Sequence, residues 1–234
     1  MNKVLVITGA SRGIGRATAQ LFAAEGFKVY NLSRSRTDLP NVEQIDVDLS
    51  EANWVERTKI PLLRAVAGAT QTVVVHNAGA IIKDSLSHFD AEDFRRVMEI
   101  NVVAPALLTS LLLPEMRAGS AIVYVGSTLS DIAVPNSCAY VTSKHALLGL
   151  MRSTCQDLAG SGIHTACVCP GFTDTEMLRD HVGNSEEILQ SIASGVAHGR
   201  LIEPAEIART IYFCAQNPVI NGAVIHANLG QVQS

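Results

Sequence analysis

The chain is short of charge, of aromatic side chains and of long apolar runs, and the shortages of charge and of apolar runs each exclude a class of partner. Lys and Arg number 18 against 22 Asp and Glu in 234 residues, for a net charge of −4 and a sequence pI near 6.0. That balance offers no basic face to a phosphate backbone, and the small cluster of Arg34 and Arg36 is no substitute, so no nucleic-acid partner is expected. No apolar run approaches the roughly 18 residues of a membrane span, so no membrane partner is expected either. The opening "MNKVLVITG" has no small-residue cleavage site and does not read as a secretory signal. The five cysteines, Cys138, Cys155, Cys167, Cys169 and Cys214, are an odd set that suits a reducing, cytoplasmic setting. Cys167-x-Cys169 lacks a second ligand pair and reads as two small apolar side chains of one strand; no metal is expected. Linkers rich in Pro, Gly or Ser, low-complexity tracts and solenoid-period repeats are also missing, which predicts one domain over 1–234.

What is present is apolar: 47% of the residues are hydrophobic, enough at this length to bury a substantial core. Short β-branched runs at 3–8, 28–32, 42–46, 72–76, 120–126, 163–168 and 223–227 read as strands. Helical patterns at 13–25, 51–67, 90–116, 139–159 and 204–216 alternate with them, and 174–197 reads as a partly helical insertion. Strands such as "TVVVHN" and "AIVYVG" are apolar on both faces, as in a parallel sheet covered by helices on each side. The expected fold class is α/β: a Rossmann-like doubly wound sheet of about seven parallel strands flanked by helices.

Between the first strand and the first helix stands "TGASRGIG", Thr8 to Gly15. In a strand-to-helix turn, Gly9, Gly13 and Gly15 remove Cβ atoms where a pyrophosphate and a facing strand approach the backbone. The next helix points its free N–H groups at that phosphate. Taken alone, the run also fits an ordinary glycine-rich turn, and its Gly-x-x-x-Gly-x-Gly spacing departs from the common Gly-x-Gly-x-x-Gly fingerprint.

Thr-Gly-x-x-x-Gly-x-Gly opening a chain of this length resembles the short-chain dehydrogenase/reductase family, and five later motifs agree in order. "HNAG", His76 to Gly79, is similar to that family's Asn-Asn-Ala-Gly with His76 in place of the first Asn. Asn101 in "MEINVVAP" and Ser127 in "YVGSTLS" match its helix asparagine and its serine. Tyr140-x-x-x-Lys144 follows that serine by 13 positions, and "PGFTDTEM", Pro170 to Met177, matches the Pro-Gly segment with Thr175 at its threonine. The resemblance implies a catalytic group of Asn101, Ser127, Tyr140 and Lys144. It implies a cofactor site of Gly9, Ser11, Arg12, Gly13, Ile14 and Gly15 with Ser33, Arg34, Asp48 and Leu49, then Asn77, Ala78 and Gly79. Tyr140, Lys144, Pro170, Gly171, Thr173 and Thr175 complete it, with a substrate lid around 174–200. Two departures stand out. Only "RSRTDLPNVE" separates the second and third strands, so the usual helix there is shortened or absent, and Leu229-Gly230 replaces a Gly-Gly.

At the end of the second strand, relatives that prefer NAD carry an acid that binds ribose hydroxyls and repels a 2′-phosphate. Ser33 stands there instead, followed by Arg34, which suits a bidentate contact to that phosphate, and Arg12 resembles the second basic residue of NADP-preferring members. The expected cofactor is NADP(H), preferred over NAD(H). Asp48-Leu49 resembles the pair that contacts adenine, with Asp46 a competing assignment.

A ketone accepting hydride builds negative charge on oxygen and needs a proton donor. The resemblance gives that role to Tyr140. A free phenol titrates near about 10, and Lys144, one turn further on the same helix face, supplies the cation that tunes it. Ser127 orients the substrate oxygen. Pro105, four residues after Asn101, has no N–H, so the Asn101 carbonyl loses its helical partner and the helix is expected to bend. In the family that carbonyl holds a water that relays protons to the lysine. His76, His145, His164 and His226 read as structural, while His181 and His198 flank the insertion.

The resemblance, in which the segment after the Pro-Gly motif sets substrate choice, makes Phe172, Met177, Leu178 and His181 the candidates to line the pocket, with Ile81, Leu129 and Val134 expected opposite. That wall suits a small-molecule carbonyl or alcohol on a modest hydrophobic skeleton. Helices near 101–116 and 139–159 are apolar around more than one face and predict a homotetramer or homodimer. The leading expectation is a carbonyl reductase. A 3-oxoacyl carrier-protein reductase would want basic residues at the mouth, and only Arg117 is a candidate, since Ser161 stands where such enzymes carry Arg. A non-catalytic NADP(H)-sensing protein would have discarded Ser127, Tyr140 and Lys144.

Overall fold

Seven parallel strands form one sheet in the order β3-β2-β1-β4-β5-β6-β7 in the computed structural model, which describes residues 2–231. They are β1 (Lys3–Thr8), β2 (Lys28–Ser33), β3 (Val42–Asp46), β4 (Gln71–His76), β5 (Ala121–Val125), β6 (His164–Pro170) and β7 (Ala223–Ala227). The chain builds outward from β1 to β3, then returns past β1 to lay down β4 to β7. The order therefore reverses between β1 and β4, and a crevice opens at their carboxyl ends.

Alternation along β1 splits the core in two. Val4 and Val6 face α2 (Trp54–Val66), α4 (Ala104–Leu112) and α5 (Cys138–Asp157), whose Trp54, Leu62, Leu108, Leu112, Leu147 and Met151 are buried with Tyr124. Leu5 and Ile7 face α1 (Gly13–Ala24) and α8 (Pro204–Gln216), where Phe22, Ile207 and Ile211 fill the other layer.

The eight residues 34–41 between β2 and β3 hold no helix, in keeping with the short spacing there. Arg16 on α1 grips this loop through Asp38, with Nε 2.9 Å from Oδ1 and Nη2 3.1 Å from Oδ2.

The pattern over 90–116 gives α3 (Ala91–Met98), one wide π-helical turn over Glu99–Val103, then α4. Pro105 cannot donate to Asn101, and the ladder adjusts by one residue, the Ala104 N–H reaching back to Glu99 O. The lost hydrogen bond expected at Pro105 is absorbed by this turn. Continuous from Ala91 to Glu115, the helix is long and apolar enough by length and composition to cross a membrane, although polar residues interrupt its apolar run in the sequence. Its inner side, with Val97, Asn101, Ala104, Leu108 and Leu112, is buried in this fold.

After β6 the insertion forms α6 (Glu176–His181) and α7 (Glu186–Ser194). Arg179 stitches them to the strand end, donating to Asp174 at 2.7 and 3.0 Å and to Glu186 at 2.9 Å. Of the carboxyl-terminal run, residues 232–234 lie outside the described residues.

Candidate active site

The glycine turn is assembled by polar groups at the ends of β1, β2 and β4. Thr8 Oγ1 accepts the N–H groups of Asn77 (3.1 Å) and Ala78 (3.0 Å). Asn77 Nδ2 in turn donates to Thr8 O (3.0 Å) and Gly9 O (2.9 Å). Asn31 Oδ1 accepts the Ala10 N–H at 2.8 Å, and Gly9 N–H reaches Leu32 O at 2.9 Å. Backbone at Gly9 and Gly13 is left-handed, and a Cβ on Gly15 would lie 2.2 Å from Gly9 O, so α1 docks on the turn only without a side chain there. The amide of Asn77 is thus committed to shaping the turn. Thr8, which the sequence marks only as the first residue of the motif, and Asn31, which nothing in the sequence marks, share that task.

Around the turn, Ser11 and Ile14 are half-buried, while Arg12 is exposed; its carbonyl accepts the Arg16 N–H at 3.1 Å, and its side chain has no hydrogen-bond or ion-pair partner among the described residues. Ser33 Oγ is occupied by Ser35 O (2.6 Å) and Asn31 Nδ2 (2.9 Å). Arg34 is exposed, 3.9 Å from the Asp48 carboxylate, which also holds Ser50 through its N–H (2.9 Å) and hydroxyl (2.7 Å). Asp46 sits on the edge strand and pairs with Arg36 at 3.0 Å. The Leu49 side chain is buried in the core.

Lys144 is buried: Nζ donates to Val125 O at 2.8 Å and lies 5.5 Å from the centre of the Tyr140 ring. A Cβ added to Gly79 would meet Asn101 Oδ1 at 3.7 Å and Lys144 Nζ at 3.8 Å, which places the "HNAG" segment against both. Asn101 spends its whole amide on neighbours. Oδ1 accepts the Ala80 N–H (2.7 Å), and Nδ2 donates to Ala80 O (3.0 Å) and Ser143 Oγ (2.9 Å). Ser143, fully buried, donates its own hydroxyl hydrogen bond to Tyr140 O at 2.8 Å. Ser143 went unmarked in the sequence because nothing in its local spacing announces a partner 42 residues away.

Ser127 closes β5 and caps the short turn Thr128–Ser130: its Oγ accepts the Leu129 N–H at 3.1 Å while its own N–H donates to Ser130 Oγ at 3.1 Å. Beneath it, a Cβ on Gly126 would strike the sulfurs of Cys169 (2.7 Å) and Cys167 (2.9 Å). Both thiols are buried in β6 and floor the serine loop, as expected of small apolar residues in one strand.

A protein-family model described as enoyl-(acyl carrier protein) reductase matches residues 9–231. A short-chain dehydrogenase family protein from Francisella tularensis subsp. tularensis SCHU S4 superposes with a TM-score of 0.89 at 27% identity, covering 99% of both chains. The chain belongs to the short-chain dehydrogenase/reductase family. An uncharacterized oxidoreductase of Thermotoga maritima is 34% identical to it over 97% of this chain and 96% of its own length. The NADP-bound structure of ElxO shares 26% identity, with a TM-score of 0.86 and coverage of 99% of each chain.

As in the family's Pro-Gly segment, Pro170 ends β6 and Gly171 N–H bonds Ala227 O at 3.1 Å. Thr173 Oγ1 is turned onto Gly171 O (3.1 Å), and Thr175 caps α6 through the Leu178 N–H (3.3 Å). The Thr175 methyl stands 3.1 Å from where a Gly13 Cβ would be, so the start of the insertion lies directly over the glycine turn. The Arg179 guanidinium beside Asp174 holds that carboxyl below its usual range. At the end of α6, burial and the charge of Lys83 both lower the pKa of His181.

The remaining histidines divide by environment. His76, in place of the family's asparagine, is buried with Nε2 2.8 Å from Thr109 Oγ1 and its ring 4.8 Å from that of Tyr124. Burial pushes it down to about 3, so it is a neutral structural ring. His164 Nε2 meets Cys214 O at 2.8 Å, and His145 Nδ1 meets Val141 O at 2.9 Å. His226 reaches Asp131 at 3.2 Å. Arg117, the one basic residue proposed for a carrier-protein mouth, does not stand at the mouth. It precedes β5 beside the Gly119–Gly162 contact (2.8 Å), at the amino ends of the strands, whereas Tyr140 follows the carboxyl end of β5. Its place in the chain fixes this, since residues before a parallel strand fall on the edge opposite the crevice.

Proposed function

We propose that this protein interconverts a carbonyl and an alcohol with NADP(H), using Tyr140 as acid and base. The observation that carries the reading is Lys144: a buried ammonium anchored on Val125 O, facing the Tyr140 ring and the Gly79 edge together. The residues present fit a dinucleotide. The turn at Gly9, Gly13 and Gly15 leaves the first N–H groups of α1 toward the crevice, and Arg12 stands unpaired beside them. Arg34 lies at the end of β2, the place for a 2′-phosphate. When bound, the nicotinamide supplies or accepts the hydride.

The chain's own residues do the rest. Tyr140 gives its phenolic proton to the oxygen as charge develops there, Lys144 stabilises the phenolate left behind, and Ser127 holds the oxygen in line. Asn101, its side chain saturated, acts by fixing Ala80 and the first turn of α5. The NADP-bound ElxO supports a nicotinamide cofactor, and the preference for NADP(H) rests on Arg12 and Arg34. A 3-oxoacyl carrier-protein reductase is the second reading, favoured by 29% identity, over 97% of this chain, to the 3-oxoacyl-[acyl-carrier-protein] reductase of Vibrio cholerae. The position of Arg117 weighs against it.

NADPH oxidation should be followed over diketones, quinones, aldehydes and 3-oxoacyl thioesters. Turnover is expected in wild type and a loss of about 10²-fold or more in Tyr140→Phe. Preference for the thioesters selects the second reading, and NADPH binding without turnover on any member sinks the first. Arg12→Ala with Arg34→Ala is expected to raise KM for NADPH about tenfold or more while leaving that for NADH within about twofold. An equal effect on both cofactors would place the two arginines elsewhere.

A further inference from the structure

We propose that Asp84 is a positioning residue for Tyr140, holding from a separate segment the amino terminus of the helix that carries it. The inference rests on the reading of Tyr140 as the proton donor. Helix α5 opens at Cys138, and Ser137 before it makes no side-chain cap, so the first N–H groups need partners from elsewhere. Asp84, 55 residues earlier, supplies one. Both its carboxylate oxygens face the N–H of Ala139, at 2.9 and 3.2 Å, and the residue is only 9% exposed. A parallel bridge reinforces the contact: Asp84 N–H donates to Asn136 O at 3.3 Å and Cys138 N–H to Asp84 O at 3.5 Å. A carboxylate at a helix amino terminus is also favoured by the helix dipole.

The placement has a consequence for alignment. The segment after β4, which carries Gly79, is fastened to the Tyr140 helix twice: by Ala80 through Asn101 and Ser143 to Tyr140 O, and by Asp84 to Ala139 N–H. Tyr140 lies between these two fastenings, in the first turn. Lys144 lies a turn deeper with its own anchor on Val125 O. Releasing Asp84 therefore frees the tyrosine before it frees the lysine or the glycine turn.

The test compares Asp84→Ala, Asp84→Asn and Asp84→Glu with wild type and Tyr140→Phe, measuring kcat and KM for the best carbonyl in the panel and the Kd of NADPH by fluorescence. Asp84→Ala is expected to lower kcat about 10- to 100-fold with the NADPH Kd within about twofold, the scale of a misaligned reacting group. Asp84→Asn keeps one acceptor for Ala139 and is expected to recover to within about fivefold of wild type. Asp84→Glu, displaced by one methylene, is expected to lose about fivefold or more in kcat. Wild-type kcat in Asp84→Glu overturns the proposal even if the alanine variant does not fold. So does a parallel loss of kcat and NADPH affinity in whichever variants fold, the mark of a merely structural cap. An inactive wild type, or an active Tyr140→Phe, refutes the reading of Tyr140 instead.

Discussion

His76 shows how a single buried ring couples this fold to pH. Burial holds it at about 3, while a free imidazole titrates near about 6.5. Between those values the unfolded chain takes up a proton that the folded chain refuses. The stability is therefore whole above pH 6.5 and drains away as the pH falls toward 3, by about 2 kcal/mol at pH 5. His76→Asn removes that term. Relative to its own stability at pH 7.5, the variant is expected to lose about 2 kcal/mol less than wild type by pH 5 in thermal or urea unfolding; parallel losses would mean the ring is not held neutral. The same scale shows what the sequence displayed and what it hid. Tyr140, Lys144 and Ser127 announced themselves by fixed spacing in one stretch of chain. Thr8, Asn31, Ser143 and Asp84 are ordinary polar residues, with partners 21 to 70 positions away in the chain, and only the closed sheet brings those partners to them.

Among the elements, the helix from Ala91 to Glu115 was read correctly in extent, and its weak point was legible from Pro105. Its form was not, because a missing N–H can be absorbed by a kink or by a wide turn, and tertiary packing chooses. Pro105→Ala restores a donor opposite the Asn101 carbonyl. It is expected to raise stability by as much as about 3 kcal/mol, the propensity difference in a helix interior, while kcat falls several-fold. Unchanged kcat with raised Tm would assign the proline to packing alone. The insertion after β6 forms two short helices, neither long enough to stand alone, and Arg179 ties them together through Asp174 and Glu186. The crossover 34–41 was legible by length alone.

On the scale of the whole molecule, the strand alternation, the sheet order and the crevice between β1 and β4 follow from a pattern the sequence carries plainly. Assembly does not show itself so directly. Val103 and Leu107 on the outer flank of the Asn101 helix are 39% and 38% exposed, an apolar stripe suited to a second copy of the chain. Leu107→Glu is expected to shift the protein to a smaller species in sedimentation, with the unfolding midpoint of that species lowered. An unchanged mass would put the contact on another face.

The helix-free link between β2 and β3 bears on how this sheet is made. Parallel strands usually pair only after a crossover of a dozen or more residues has been gathered in, a slow, entropically costly closure. Here eight residues close the pair, making it the most local parallel contact in the chain. In pulsed hydrogen exchange during refolding, amides of β2 and β3 are accordingly expected to gain protection before those of β6 and β7, so that the sheet grows from an edge strand inward.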